Sequence, residues 1–232
     1  MVGLGYLDLR TWSAPETLQP EQIRDSSTDA RGADWREQDL GEHDLRNANL
    51  CRCDLRGSNL SRCQLDGANL RLARFDRATR VPEGFDLCSS GAVGPGAKLN
   101  GAFLNNSDLR EIDLRGAMLM GAYLSGADLS GALLDGVSLA GSDLRFTALR
   151  GAMCRKTRFG TSQLDMADLR GADLQGATLD SVDSIKGADF SGCFGLNDQL
   201  PALLNRATAE LDHWNPLTRN TTRNSLESLR DI

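Results

Sequence analysis

Residues 122–151 read AYLSG-ADLSG-ALLDG-VSLAG-SDLRF-TALRG, six units of five residues with leucine third in each: Leu124, Leu129, Leu134, Leu139, Leu144 and Leu149. Followed outward, the spacing holds from Leu99 through Leu104, Leu109, Leu114 and Leu119, and then on to Leu164, Leu169, Leu174 and Leu179. That is 16 steps without a slip, with only Cys154 and Phe159 replacing leucine. A second block runs from Trp35 through Leu40, Leu45, Leu50, Leu55, Leu60, Leu65 and Leu70 to Phe75.

The flanking positions are as regular as the centres. Two residues before each centre stands a small side chain, as at Ala48, Ser58, Ala102, Ala127 and Ala172. Residues two apart on extended chain share a face. The residue between them, usually Asp or Asn, must therefore point outward, as for Asp54, Asn59, Asp108, Asp128 and Asp168. Two after the centre, Gly is frequent (Gly57, Gly67, Gly116, Gly126, Gly136, Gly151), where a tight corner would otherwise meet a Cβ clash.

A period of five fits neither the helical 3.6 nor the strand period of 2 over a long run. A coil that bends once per unit keeps every leucine inside. Ordering five residues costs about 1–2 kcal/mol each, whereas burying one Leu returns about 1.5–3 kcal/mol, so no unit is stable without stacked neighbours. The pattern Ala127-Asp128-Leu129-Ser130-Gly131 and Ala172-Asp173-Leu174-Gln175-Gly176 resembles the pentapeptide-repeat family, Leu-centred type. The resemblance implies an all-β solenoid, a right-handed quadrilateral parallel β-helix with four units per coil. With coils about 4.8 Å apart, the two blocks are expected to make roughly six to seven coils.

The expected organisation is an N-terminal cap over 1–30, a first repeat block over 31–78, an inserted loop over 79–96, a second block over 97–192, and a C-terminal helix and tail over 193–232. Leu7-Asp8-Leu9 reads as a first rung, and Ser13-Ala14-Pro15-Glu16 as a capping box opening a helix to about Arg24. Phe75 to Leu99 is 24 residues, so the register slips between the blocks. The segment between them, rich in Gly and Pro, reads as a loop bulging from the wall, with Pro82, Phe85 and Pro95 as its docking candidates. Leu200, Leu203, Leu204, Ala207, Leu211 and Trp214 mark one face of a helix from about Asp198, expected to cover the open solenoid end. Together these are the N- and C-terminal helical caps.

The net charge of −6 in 232 residues argues against direct nucleic-acid binding. Met1 to Trp12 lacks the pattern of a secretory leader and no apolar run approaches bilayer length, so the expected setting is cytoplasmic, without a membrane. Cys53, Cys63 and Cys154 fall on inward positions, Cys51 outward, Cys88 in the loop and Cys193 near the last coil, which suits structural thiols better than a metal site. His43 and Gln38 fall inward and are expected as hydrogen-bonded core polars, and His213 lies beside Trp214. No nucleophile and base, phosphate loop or ligand cluster stands out, so neither catalysis, a cofactor nor a metal is expected.

What remains is surface. Phe103 and Tyr123 take the outward place normally held by Asp or Asn and, 20 apart, should stack on adjacent coils. Met118 and Met120 precede them, with Phe146 and Met166 outward at corners farther along. Exposed aromatics and methionines mark an interface. The expected function is a non-catalytic interaction or scaffolding solenoid with a protein partner, or a homodimer through the terminal helix or the apolar patch. The alternative is a regulator or protector of DNA gyrase, a type II topoisomerase, through an acidic surface imitating DNA, as in the quinolone-resistance branch of the family. Arg110, Arg150 and Arg170 beside the Asp column weigh against it, because paired charges cancel within a Debye length of about 8 Å.

Overall fold

A computed structural model describes residues 18–20, 23 and 28–231. The expected first rung at Leu7–Leu9 and the capping box at Ser13 lie outside the described residues. The chain forms two compact units, Met1–Ala73 with Ala78–Phe85, and Arg74–Arg77 with Asp86–Ile232.

In the first unit the residue before each centre pairs in parallel with its counterpart 20 further on: Asp29 with Asn49 and then Asn69, Asp34 with Asp54, Asp39 with Asn59, Asp44 with Gln64. A ladder register of 20 with a chemical period of five gives four sides per coil. Trp35, Leu40, Leu45, Leu50, Leu55 and Leu60 are completely buried. The Trp35 indole N–H, which cannot be left unpaired there, donates to the Leu18 carbonyl at 2.7 Å.

The second unit repeats this arithmetic on four ladders: Lys98–Met118–Ser138–Arg158–Thr178, Phe103–Tyr123–Asp143–Gln163, Asp108–Asp128–Ala148–Asp168 and Asp113–Leu133–Met153–Asp173. Each side makes one parallel bridge per coil. Tyr123, for example, donates its N–H to Ala102 O at 2.9 Å and accepts from Leu104 N–H at 2.8 Å. Most corners are β-turns closed from the centre's carbonyl, as from Ala127 N–H to Leu124 O at 2.9 Å, with a left-handed third residue (Gly126, φ 70°). Phe146, Lys156 and Met166 occupy the same left-handed corner without being glycine.

Three expectations need correction. The segment 79–96 is not a continuous bulge: Arg80 joins the first unit's ladder opposite Asn59, and Val93 joins the second unit's opposite Arg74. Ala92, Val93 and Gly94 are buried, so only residues between these rungs, including the short 3-10 turn Leu87–Ser89, depart from the wall. Gln38 is exposed, not a core polar. Its slot one coil on holds the much smaller Ser58, fully buried and donating to Leu55 O at 2.6 Å, and a glutamine is too long for that space. His43 is half-buried with Nδ1 against Leu40 O.

The third correction is the terminal helix, which breaks in two: α1 at Leu200–Leu204 and α2 at Thr208–Leu211. A short antiparallel hairpin, β1 Trp214–Asn215 with β2 Asn220–Thr221, leads to α3 at Thr222–Glu227. The break falls at Ala207, which is extended (φ −58°, ψ 136°), while Arg206 is drawn to the carbonyls of Val182 and Asp183 at 3.1 and 3.0 Å. Leu200, Leu203 and Leu211 are buried as expected of the cap, but Ala207 and Trp214 face out.

This segment completes the last coil by side-chain imitation of a missing one. In inner coils the centre's N–H donates to the next coil, as Leu164 does to Ser184 O. Leu179 instead donates to Gln199 Oε1 at 2.8 Å, while the same amide donates to Ala177 O at 2.7 Å. Ile185 N–H finds Glu210 Oε1 at 2.6 Å, and Asn215 and Thr222 donate to Gly187 O and Ile185 O at 2.8 and 3.0 Å. An open edge is thereby closed.

Candidate functional site

The outward columns are first of all structural. Each Asp or Asn before a centre can accept from the N–H two residues on, at the entry to the corner, as Asp143 does from Arg145 at 3.2 Å and Asn69 from Arg71 at 3.2 Å. Where that second residue is Arg, its guanidinium folds back on the same carboxylate. The pairs Asp29–Arg31, Asp34–Arg36, Asp44–Arg46, Asp54–Arg56, Asp108–Arg110, Asp113–Arg115, Asp143–Arg145 and Asp168–Arg170 close at 2.5–2.8 Å. The Arg46 and Arg110 guanidiniums bonded to Asp44 and Asp108 hold these carboxyls down to about 2. Eight of the outward carboxylates are thus neutralised within two residues of themselves.

The four buried thiols are not poised for chemistry. Burial pushes the Cys53 and Cys193 thiols up to about 12 and Cys63 up to about 11, and raises Cys154 further, so the reactive thiolate is suppressed. Cys53 and Cys193 donate to the Ala30 and Leu169 carbonyls of the preceding coil at 2.7 and 3.0 Å. Ser142, Thr147 and Thr157 do the same from the same inward position to Leu119, Leu124 and Leu134 at 2.8–2.9 Å. Among the described residues no three His, Cys, Asp or Glu side chains could hold a metal ion together, and no helix is long and apolar enough to cross a membrane. A polar depression of about 310 Å³ is lined by Asp34, Arg36, Glu37 and Gln38, with Asp34 and Arg36 already paired to each other.

The rule breaks at several outward positions of the second unit, among them Lys98, Met118, Ser138, Leu133, Ala148 and Met153, and the break that brings two aromatics together is at Phe103 and Tyr123. Their rings stack on consecutive coils, centroids 4.8 Å apart and planes 9° from parallel, yet remain 62% and 45% exposed. Met118, Met120 and Phe146 are exposed to 48%, 53% and 53%. Met166 differs: it is half-buried, closing with His213 over Gly187, where an added Cβ would meet both. Pro82 and Phe85 in the first unit and Pro95 in the second are half-buried. Sequence reasoning missed Phe194, Trp214 and Leu217, exposed to 53%, 54% and 71%. Phe194 was legible as an outward position only with the one-residue slip that sets Asp173 opposite it, and Trp214 was assigned to a buried helix face.

A four-sided coil with one inward apolar centre per unit, mostly leucine, and mostly left-handed corners defines a solenoid of five-residue repeats. The family model for pentapeptide repeats matches in 8 copies across residues 44–79, 95–131, 119–153, 127–164 and 154–194, more than half of the chain. The chain belongs to that family, and its fold is the family's right-handed quadrilateral β-helix. Among solved structures it is similar to a pentapeptide repeat protein from the thylakoid lumen of Arabidopsis thaliana (29% identity over 60% of this chain and 91% of that one, TM-score 0.42). It is also similar to HetL, involved in heterocyst differentiation regulation, from the cyanobacterium Nostoc sp. strain PCC 7120 (24%, 74% and 90%, TM-score 0.27). A third is QnrB1, a plasmid-mediated fluoroquinolone resistance protein (19%, 76% and 86%, TM-score 0.37). No curated protein sequence matches the chain significantly.

Proposed function

We propose that the chain is a non-catalytic interaction module whose binding face is the wall carrying Phe103 and Tyr123. One observation carries the reading: at an outward position that many units fill with a capping carboxylate or amide, two large aromatics stand stacked and exposed on adjacent coils. Exposed aromatics with neighbouring methionines have the composition of an interface centre. Apolar residues elsewhere at this position, such as Leu133 and Met153, are half-buried, so it is the exposure of two stacked rings for which the fold alone gives no reason.

The DNA-imitating alternative needs an uncompensated acidic face. The columns instead hold their carboxylates in pairs with arginine, which supports the interaction reading over charge mimicry. The test is affinity purification of the tagged chain beside a Phe103→Asp, Tyr123→Asp variant from the native cell. A partner retained by the first and lost by the second, with equal unfolding midpoints, is the expected result. Identical partner sets would refute the assignment of the face.

A further inference from the structure

Resting on that reading of the wall, we infer that its occupant is a second copy of this chain, docked wall to wall about a two-fold axis. Area is the first argument. Side chains of this size offer on the order of 200 Å² each, so the exposures of Phe103, Tyr123 and the corner residues Met120 and Phe146 amount to roughly 400 Å² of apolar surface per copy, with Met118 on the adjoining side. A standard interface buries about 800 Å² per partner, about 65% apolar in homodimers, and the patch supplies most of that apolar share.

Self-compatibility is the second. In a two-fold contact each patch faces itself, so any uncompensated charge at its centre would meet its own image. Here Asn105, Asn106 and Ser125 flank the rings without charge. The adjoining charges are already closed within the chain, Asp143 with Arg145 at 2.7 Å and Lys98 with Asp86 at 3.1 Å. Thioethers and aromatic rings attract one another, so the patch holds both halves of the contact it would make. The chain's own C-terminal segment does not compete, since its side chains are engaged on the last coil at Ile185, Gly187 and Ser191.

Sedimentation velocity on the full chain from about 1 to about 200 µM tests the inference, with Tyr123→Asp, Phe103→Asn and Leu217→Asp run alongside. The ladder of Phe103 and Tyr123 continues with Asp143 and Gln163, so polar residues suit the fold there, and equal thermal midpoints check that they do. The expected result is a reversible dimer, weakened at least about 30-fold by Tyr123→Asp and by Phe103→Asn, and unchanged by Leu217→Asp. A chain monomeric throughout, or a dimer lost only with Leu217→Asp, overturns the inference. If the chain is monomeric while a captured partner still requires Phe103 and Tyr123, the second copy falls and the interaction face stands. If neither depends on these residues, both fall.

Discussion

Replacing Asp143 separates the two roles its carboxylate plays. Asp143 accepts the Arg145 N–H at 3.2 Å, and it holds the Arg145 guanidinium at 2.8 and 2.7 Å. The first role resembles a helix N-cap, whose loss costs about 1 kcal/mol within a range of about 0.5–2. The second is an ion pair whose arginine is 48% exposed, and such pairs contribute about 0–1 kcal/mol after solvent screening. Asp143→Ala loses both and should lower stability by about 1–2 kcal/mol, whereas Asp143→Asn and Arg145→Ala lose only the pair and should each cost about 0.5 kcal/mol or less. The repeat contains its own control: Asn49 and Asn59 hold the N–H of Cys51 and Ser61 at 3.3 and 3.2 Å with no guanidinium involved. Urea unfolding followed by circular dichroism gives the midpoints, and hydrogen exchange at the Arg145 amide localises the effect. The alanine penalty should persist in 1 M salt, where the Debye length is about 3 Å and exposed pairs are screened. Asparagine costing as much as alanine, or an alanine penalty abolished by salt, would refute the reasoning and make charge pairing the corner's support.

Two further outcomes follow from the same geometry. The carboxyls of Asp44 and Asp108, held at about 2 against an ordinary 3.8, are depressed in the folded state, so the stability they contribute is complete above about pH 4 and is lost as pH falls through about 2. Thermal midpoints should decline between pH 4 and pH 2, and a flat profile there would contradict it. Gln199→Ala strips partners from Leu179 N–H and Ala177 O and should cost about 2 kcal/mol, with amide exchange accelerated in the last coil and not around Leu124.

The inward column was legible because one leucine per five residues admits only a bend per unit. Leu124, Leu144 and Leu164 are indeed fully buried, and the 20-residue ladders match the four sides the family resemblance implies. What escaped is where tertiary demands override local pattern. Leu200 through Leu211 has helical spacing, but the last coil's unpaired carbonyls at Val182 and Asp183 draw Arg206 out and the helix breaks beside it. Segment 79–96 carries turn residues, yet Arg80 and Val93 are recruited as rungs because each stands opposite a ladder position that needs a partner, Asn59 and Arg74 respectively. The outward direction of Phe103 and Tyr123 could be read from register, but not their exposure, since Val93 and Asp189 at such rungs are buried and Leu133 and Met153 half-buried.

The same register bears on where function can reside. Inward positions are committed to the core and corners to left-handed backbone, and most outward carboxylates are bound to the next turn's N–H and an arginine. A residue that leaves this scheme gives up a cap of about 1 kcal/mol, and Phe103 and Tyr123 give it up in consecutive coils. Their stacking at 4.8 Å returns about 0.5–1.5 kcal/mol, enough to offset one lost cap but not to account for keeping 62% of Phe103 in water. An exposed apolar face on a rigid wall is stabilised further only when something covers it, so the balance in the free chain points to a surface whose remaining gain comes from association.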